Sequence, residues 1–145
     1  MFAGSYPLTI DDKGRMAIPA RFRLEIAEQF NSQLFITRSH LPCLEIYPAP
    51  AFHAVAAQIK SMDDRPKADL LNRVFIGSAV ECEMDKQGRI LLPQLLRKLA
   101  RLDSSAMLVG QIDRFDIWDE DLWNQKFGEG SDASDVAAAF AVLKR

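Results

Sequence analysis

The chain repeats itself once, and that repeat limits what it can fold into. Asp11-Asp12-Lys13-Gly14-Arg15-Met16-Ala17-Ile18-Pro19 lines up with Asp85-Lys86-Gln87-Gly88-Arg89-Ile90-Leu91-Leu92-Pro93, so that aspartate, glycine, arginine and proline coincide at a constant offset of 74. Upstream, Phe2-Ala3-Gly4-Ser5 matches Phe75-Ile76-Gly77-Ser78 at offset 73. Downstream, Leu44-Glu45-Ile46-Tyr47 matches Phe115-Asp116-Ile117-Trp118 at offset 71, and Phe52 falls on Trp123. Small drifts of offset are what short loop insertions produce, and three matches in order mark a duplication. Two copies are too few for a solenoid, which needs at least three stacked units. A copy of about 70 residues also buries only a marginal core alone. The economical solution is one α+β domain in which the two copies interleave about a pseudo-two-fold axis and share one interior. The first copy is assigned to 1–60, a connecting helix or linker to 61–74, the second copy to 75–127 and a variable tail to 128–145.

Each copy predicts the order strand, Gly turn, strand, helix, strand, turn, strand, helix. Residues 6–11 and 79–85 tend to alternate, as half-buried strands do. Gly14 and Gly88 permit the positive φ of a tight turn. Pro19 and Pro93 are expected at the first helical position of the amphipathic stretches 20–30 and 94–102. Strands are expected at 34–37, 43–47, 106–109 and 114–118, and closing helices at 51–60 and 120–127. In the connector, Pro66 suits a first helical turn. Residues 128–134 read as a flexible linker and 136–145 as a loosely attached helix.

A 48% apolar and 26% charged composition is that of a soluble globular chain. No apolar run approaches the roughly 20 residues of a membrane span, and the N-terminus lacks the order of a signal peptide. Cys43 and Cys82 cannot build a disulfide framework or a four-thiolate zinc site. A cytoplasmic protein is therefore expected. The net charge of −2 conceals segregation. Lys13, Arg15, Arg21 and Arg23 form one basic island without an acid, and Lys86, Arg89, Arg97, Lys98 and Arg101 form another. From Asp103 to Asp135, nine acids face only Arg114 and Lys126. Binding follows local potential, so two basic islands are compatible with an anionic partner. Charge alone favours the plainer reading, helices that alternate charge on solvated faces.

The repeated loop has its own chemical logic. Asp11 or Asp85 can accept from turn amides, or pair with Arg15 or Arg89 and fix its direction. Gly14 or Gly88 lets the arginine project from the rim of a sheet. One reading is a turn held by an internal Asp–Arg pair, with no partner. The other is a pair of basic loops, with Lys13 and Lys86 nearby, that meets phosphates or reaches base edges, since Arg suits bidentate contact with guanine.

With these motifs the sequence resembles the MraZ family of bacterial transcriptional regulators, encoded at the head of the division and cell-wall gene cluster. The resemblance runs from Phe2 to about Phe127 and rests on the N-terminal Phe-x-Gly and on both Asp-x-x-x-Arg motifs with Pro19 and Pro93. It implies two tandem, interleaved SpoVT/AbrB-like β-α-β repeats forming a pseudo-two-fold split β-barrel capped by helices. It further implies a ring-like homo-oligomer that binds double-stranded DNA at short promoter repeats and usually represses its own operon. Cytoplasmic, nucleoid-associated placement goes with this, and no cofactor, metal, membrane or small-molecule substrate does. The implied DNA contacts are Lys13, Arg15 and Arg89, with Lys86 as a fourth whose counterpart in the first motif is Asp12; Asp11, Gly14, Asp85 and Gly88 support them.

Rival readings have weaker carriers. Ser5, His40, His53, Asp11 and Asp12 could supply a catalytic triad, but no nucleophile-elbow spacing occurs and the histidines have no repeat partners. His40, Cys43 and His53 lack the paired spacing of metal ligands. Gly128-Glu129-Gly130 follows no apolar strand and makes no phosphate loop. The aromatic residues read as repeat core. A scaffold or antitoxin-like oligomer of the same fold is the remaining alternative, although the tail is short for wrapping a toxin.

Overall fold

The computed structural model describes residues 1–129 and 132–145. The first copy supplies β1 (Ser5–Thr9), β2 (Arg15–Ala17), α1 (Ala20–Phe30), β3 (Gln33–Arg38), β4 (Leu44–Pro48) and α2 (Ala49–Ser61). A connecting helix α3 (Arg65–Leu71) runs into a π-helical segment, Asn72–Ile76. The second copy supplies β5 (Val80–Glu83), β6 (Arg89–Leu91), α4 (Gln94–Leu99), β7 (Ser105–Gly110), β8 (Phe115–Asp119) and α5 (Glu120–Phe127), followed by α6 (Ala133–Ala141). The architecture is α+β. Its strands form a six-stranded sheet in the order β1-β7-β8-β4-β3-β5 and a separate ribbon, β2-β6, with every pairing antiparallel.

That order is the interleaving expected of a duplication. β1 of the first copy lies on β7 of the second, and β5 of the second lies on β3 of the first. The register locates the pseudo-two-fold axis. On the β4-β8 seam Glu45 pairs with Asp116, its own repeat counterpart, and on the ribbon Met16 pairs with Ile90, again its counterpart. Both pairs are self-matching, so one axis runs through the sheet and the ribbon. Between them lies a core drawn from both copies. Met16, Ile18, Phe22 and Ile26 are buried with Ile90, Leu92, Leu96 and Phe115. Phe2 stacks on Phe115 at 4.3 Å between ring centroids.

Local chemistry sets the ends of the helices. Asp64 caps α3, its side chain accepting from the Lys67 amide at 3.1 Å, and Pro66 occupies the first turn as expected. Asp119 caps α5 through the Leu122 amide at 3.1 Å, with Glu120 and Asp121 in the first turn where the helix dipole favours them. Pro19 and Pro93 differ from expectation: they are N-caps with extended ψ of 138° and 143°, one position before the helix. Each follows directly on a short strand and keeps its extended backbone. Helix α4 ends at Leu99, short of 102, because Arg101 turns left-handed at φ 57° and the Leu102 amide bonds back to the Arg97 carbonyl at 2.9 Å. The Phe2 and Phe75 segments, though matched in sequence, also part company. Phe2 bridges Ile112 in extended form, whereas Phe75 is held in the π-helical continuation of α3 and its carbonyl accepts from Thr37 Oγ1 at 2.6 Å.

A charged cluster lies on the axis itself. Arg114 Nε donates to Asp116 Oδ1 at 3.0 Å, and its Nη2 stands 3.7 Å from Glu45 Oε2. The Tyr47 hydroxyl donates to Glu45 Oε1 at 2.7 Å. Burial lifts the Asp116 carboxyl above its ordinary range against the pull of Arg114, and burial with the Glu45 hydrogen bond lifts the Tyr47 phenol. Burial, with Asp116 nearby, pushes the Cys43 thiol up to about 12, so it is no nucleophile at neutral pH.

A fragment ending at Arg65 loses the strand partners of β1, β3 and β4 supplied by the second copy. It is expected to show no cooperative thermal transition by circular dichroism, where the whole chain shows one. A sharp transition from the fragment would mean that each copy folds alone. In the whole chain, Ile117→Ala removes a fully buried side chain at the seam and is expected to cost about 2–5 kcal/mol in chemical denaturation.

Candidate nucleic-acid interface

The two repeated loops are built alike from the backbone upward. In the first, the Asp11 amide donates to the Arg15 carbonyl at 2.9 Å and the Gly14 amide to the Asp11 carbonyl at 3.0 Å. The second copies this, Asp85 to Arg89 at 2.9 Å and Gly88 to Asp85 at 3.0 Å. Gly14 and Gly88 adopt φ of +85° and +78°, which L side chains rarely do. Asp11 Oδ1 accepts from the amides of Lys13 at 3.0 Å and Arg15 at 2.8 Å, and Asp85 Oδ1 from those of Gln87 at 2.9 Å and Arg89 at 2.8 Å.

The second carboxylate oxygen aims the arginine. Arg15 Nε meets Asp11 Oδ2 at 2.8 Å, and Arg89 Nε meets Asp85 Oδ2 at 3.0 Å. Among the described residues these are the only hydrogen bonds of either guanidinium, so the terminal amino groups have no hydrogen-bond partner, on side chains that are partly exposed. The Arg15 amide hydrogen bond, then the bond from its side chain, holds the Asp11 carboxyl below its ordinary range; Arg89 does the same to Asp85. Along the ribbon, Met16 and Ile90 point into the core, while Arg15, Ala17, Arg89 and Leu91 alternate with them on the opposite face. Lys13, Lys86, Asp12 and Gln87 are exposed on the loop tips.

The loops hold each other. The Ile18 amide donates to the Gly88 carbonyl and the Leu92 amide to the Gly14 carbonyl, both at 2.8 Å. Two arginines absent from the expected site complete the brace. Arg23 Nε donates to the Ile18 carbonyl at 2.7 Å and Arg97 Nε to the Leu92 carbonyl at 3.0 Å. Their guanidinium groups cross to the other copy's turn: a Cβ on Gly14 would stand 2.9 Å from Arg97, and one on Gly88 would collide with Arg23. The signal for them was present, since Arg23 and Arg97 share the offset of 74 with the motif itself. The rival histidines do not join this site. His53 is exposed on α2 with its ring edge-on to Phe35 at 5.8 Å, and His40 is exposed beyond β3. Among the described residues, no group of histidine, cysteine and carboxylate side chains gathers to hold a metal ion, and no helix is long and apolar enough to cross a membrane.

Comparison with known proteins gives this architecture a class. A family model described as "MraZ protein, putative antitoxin-like" matches twice, over residues 1–74 and 75–145, in agreement with the duplication. A protein of Pseudomonas aeruginosa named Transcriptional regulator MraZ is 42% identical over 126 residues, covering 86% of this chain and 83% of the relative. Relatives of the same name in Pseudomonas putida and Pseudomonas entomophila are each 41% identical over 140 residues, covering 95% of this chain and 89% of the relative. The class is that of two-repeat transcriptional regulators and not of enzymes. The chain belongs to the MraZ family.

Two outcomes follow from the loop geometry. Gly14→Ala puts an L residue at φ +85° and crowds Arg97, and is expected to destabilise by about 1–2 kcal/mol in urea denaturation. The second concerns pH. Asp11 has a folded pKa below its unfolded value of 3.8, so its contribution is complete above that value and is lost as pH falls through the folded pKa. The melting-temperature advantage of the wild type over Asp11→Asn should hold from neutral pH down to about 4 and vanish below. An advantage that grows on acidification would contradict the assigned hydrogen bonds.

Proposed function

We propose that the chain is a sequence-specific DNA-binding transcriptional regulator, in which Arg15 and Arg89 reach base edges while Lys13 and Lys86 hold phosphates of the duplex. The observation that carries this reading is the aimed arginine: in both loops the carboxylate engages Nε alone and leaves the terminal amino groups without a hydrogen-bond partner among the described residues. An arginine so held has little left to lose in conformational entropy when it meets a guanine edge. The pseudo-two-fold axis through the ribbon suits a duplex, whose two strands are themselves related by two-fold symmetry. The loops are not identical, since Lys13 aligns with Gln87 and Lys86 with Asp12, so each loop places its free cation one residue apart from the other.

In this reading several protomers form a ring-like homo-oligomer whose loops engage short promoter repeats together, and the regulator represses its own division and cell-wall operon. Its place is the cytoplasm, at the nucleoid. The repeats 1–60 and 75–127 act as paired units joined through 61–74, and the ribbon closes the sheet as a split barrel. Joint engagement multiplies modest single contacts, which a protomer of net charge −2 requires.

Gel retardation of the fragment directly upstream of the chain's own gene tests the reading. Arg15→Ala is expected to lose about 1–3 kcal/mol for each guanine contact and, through the oligomer, to abolish retardation with little change in melting temperature. Lys13→Ala should weaken all duplexes alike and reduce the salt dependence. Unchanged retardation by Arg15→Ala with a collapsed melting temperature would make the motif a structural turn. A wild type that retards no fragment would favour the scaffold or antitoxin-like alternative.

A further inference from the structure

The outer face of the ribbon carries four side chains, and one of them stands apart. Arg15 and Arg89 are partly exposed cations, their guanidinium groups bonded only to the motif aspartates among the described residues. Ala17 is small. Leu91 is 55% exposed, although the preceding residue of its strand, Ile90, is fully buried in the core. The fold does not need a leucine there. Its repeat counterpart at offset 74 is Ala17, so the same place in the ribbon is filled by a single methyl in the other copy. The register sets this leucine beside the motif: Leu91 pairs directly with Arg15, and Ala17 with Arg89. A large apolar side chain thus meets solvent next to one motif arginine and not next to the other.

We infer that Leu91 is a specificity-determining residue, which packs on the 5-methyl group of a thymine one or two base steps from the guanine met by Arg15. This deepens the DNA-binding reading proposed above and rests on it. An apolar protein surface covers this face poorly, because seating Leu91 on it strips water from Arg15 without replacing its hydrogen bonds. A duplex suits both side chains at once. Its major-groove edges offer acceptors to the arginine, and the thymine methyl is the apolar group among them. The spacing agrees. Opposed residues of an antiparallel pair have Cα atoms about 4.5–5.5 Å apart, and successive bases along a strand are about 3.4 Å apart. Leu91 therefore lies within one or two base steps of what Arg15 contacts. Ala17 lacks the reach to do the same beside Arg89. The two loops, alike in backbone, then ask for unequal sequences: a guanine with a thymine close by under the first, and a guanine alone under the second. The side chain that completes the first loop's reading belongs to the second copy.

Deoxyuridine in place of thymidine tests the contact, since uracil keeps every hydrogen-bonding group of thymine and lacks only the methyl. The probe is the duplex directly upstream of the chain's own gene, with its thymines replaced one at a time and binding of the full chain followed by fluorescence anisotropy. The wild type should lose about fourfold in affinity for each contacted methyl removed. Leu91→Ala should bind the unmodified duplex more weakly by a similar factor and be indifferent to the same replacement. Its melting temperature should stay that of the wild type, because the other copy carries alanine at this place. A wild type indifferent to every replacement, or a Leu91→Ala chain that loses as much from them as the wild type does, overturns the inference. So does a Leu91→Ala chain that changes mass in light scattering while uracil changes nothing, which would place the leucine between copies. A wild type that binds no fragment sinks the DNA-binding reading and this contact with it, whereas one that binds thymine and uracil duplexes equally sinks the contact alone.

Discussion

Neither copy can complete its own sheet. β1 and β5 each have a single ladder partner, and that partner belongs to the other copy. Everything else follows from this exchange. The motif loops lie between an exchanged strand and the ribbon, so each loop is anchored on one side by its own turn and on the other by foreign backbone. The reciprocal amide bonds from Ile18 to Gly88 and from Leu92 to Gly14 then tie the separation of the loops to the fold. Two sites on separate domains would meet a rigid duplex only after a loss of orientational freedom. Here that freedom was removed when the chain folded, so the DNA binding proposed above does not have to remove it again.

Much of this was legible in the sequence because a duplication writes its symmetry into residue offsets. The motif at offset 74 fixed both turns, and the self-pairing of Met16 with Ile90 and of Glu45 with Asp116 is the repeat, at offsets 74 and 71, seen in space. Strands and helices of the two copies fall within a few residues of expectation, since alternation and capping residues are local signals. What was not legible depends on contacts across the axis. Arg23 and Arg97 read as solvated members of basic islands until the fold carries each over the other copy's glycine. The strand order is equally silent in sequence, because a copy that pairs with itself and one that pairs with its twin need the same apolar pattern. Phe75 misled for a related reason. It keeps the sequence of Phe2 but follows a helix, and the preceding backbone decides its conformation.

The aromatic residues show how the same repeat can serve two environments. Phe2, Phe22 and Phe115 pack in the shared core, with Phe22 edge-on to Phe115 at 5.1 Å. Phe52 and Phe75 instead stack at 5.9 Å beneath α2, and Trp118, Trp123 and Phe127 cluster on the opposite end. The centre of the molecule is conserved in kind between the copies, and the periphery is where they diverge. That gradient separates the motif face, which needs symmetry, from the two ends, which do not.

The cluster on the axis has a consequence for how such a molecule can change. By repeat offset, Arg114 occupies the position of Cys43, beside the paired Glu45 and Asp116. Two identical halves associating as separate chains would place either two arginines or two cysteines there, giving two cations crowded on one seam or two carboxylates with no cation. A single covalent chain escapes this all-or-nothing choice: one codon changes one half. The lone Arg114 shared between a carboxylate of each copy is thus an arrangement open only to a fused gene, and it locks the halves into a partnership that neither could restore by exchanging with a copy of itself.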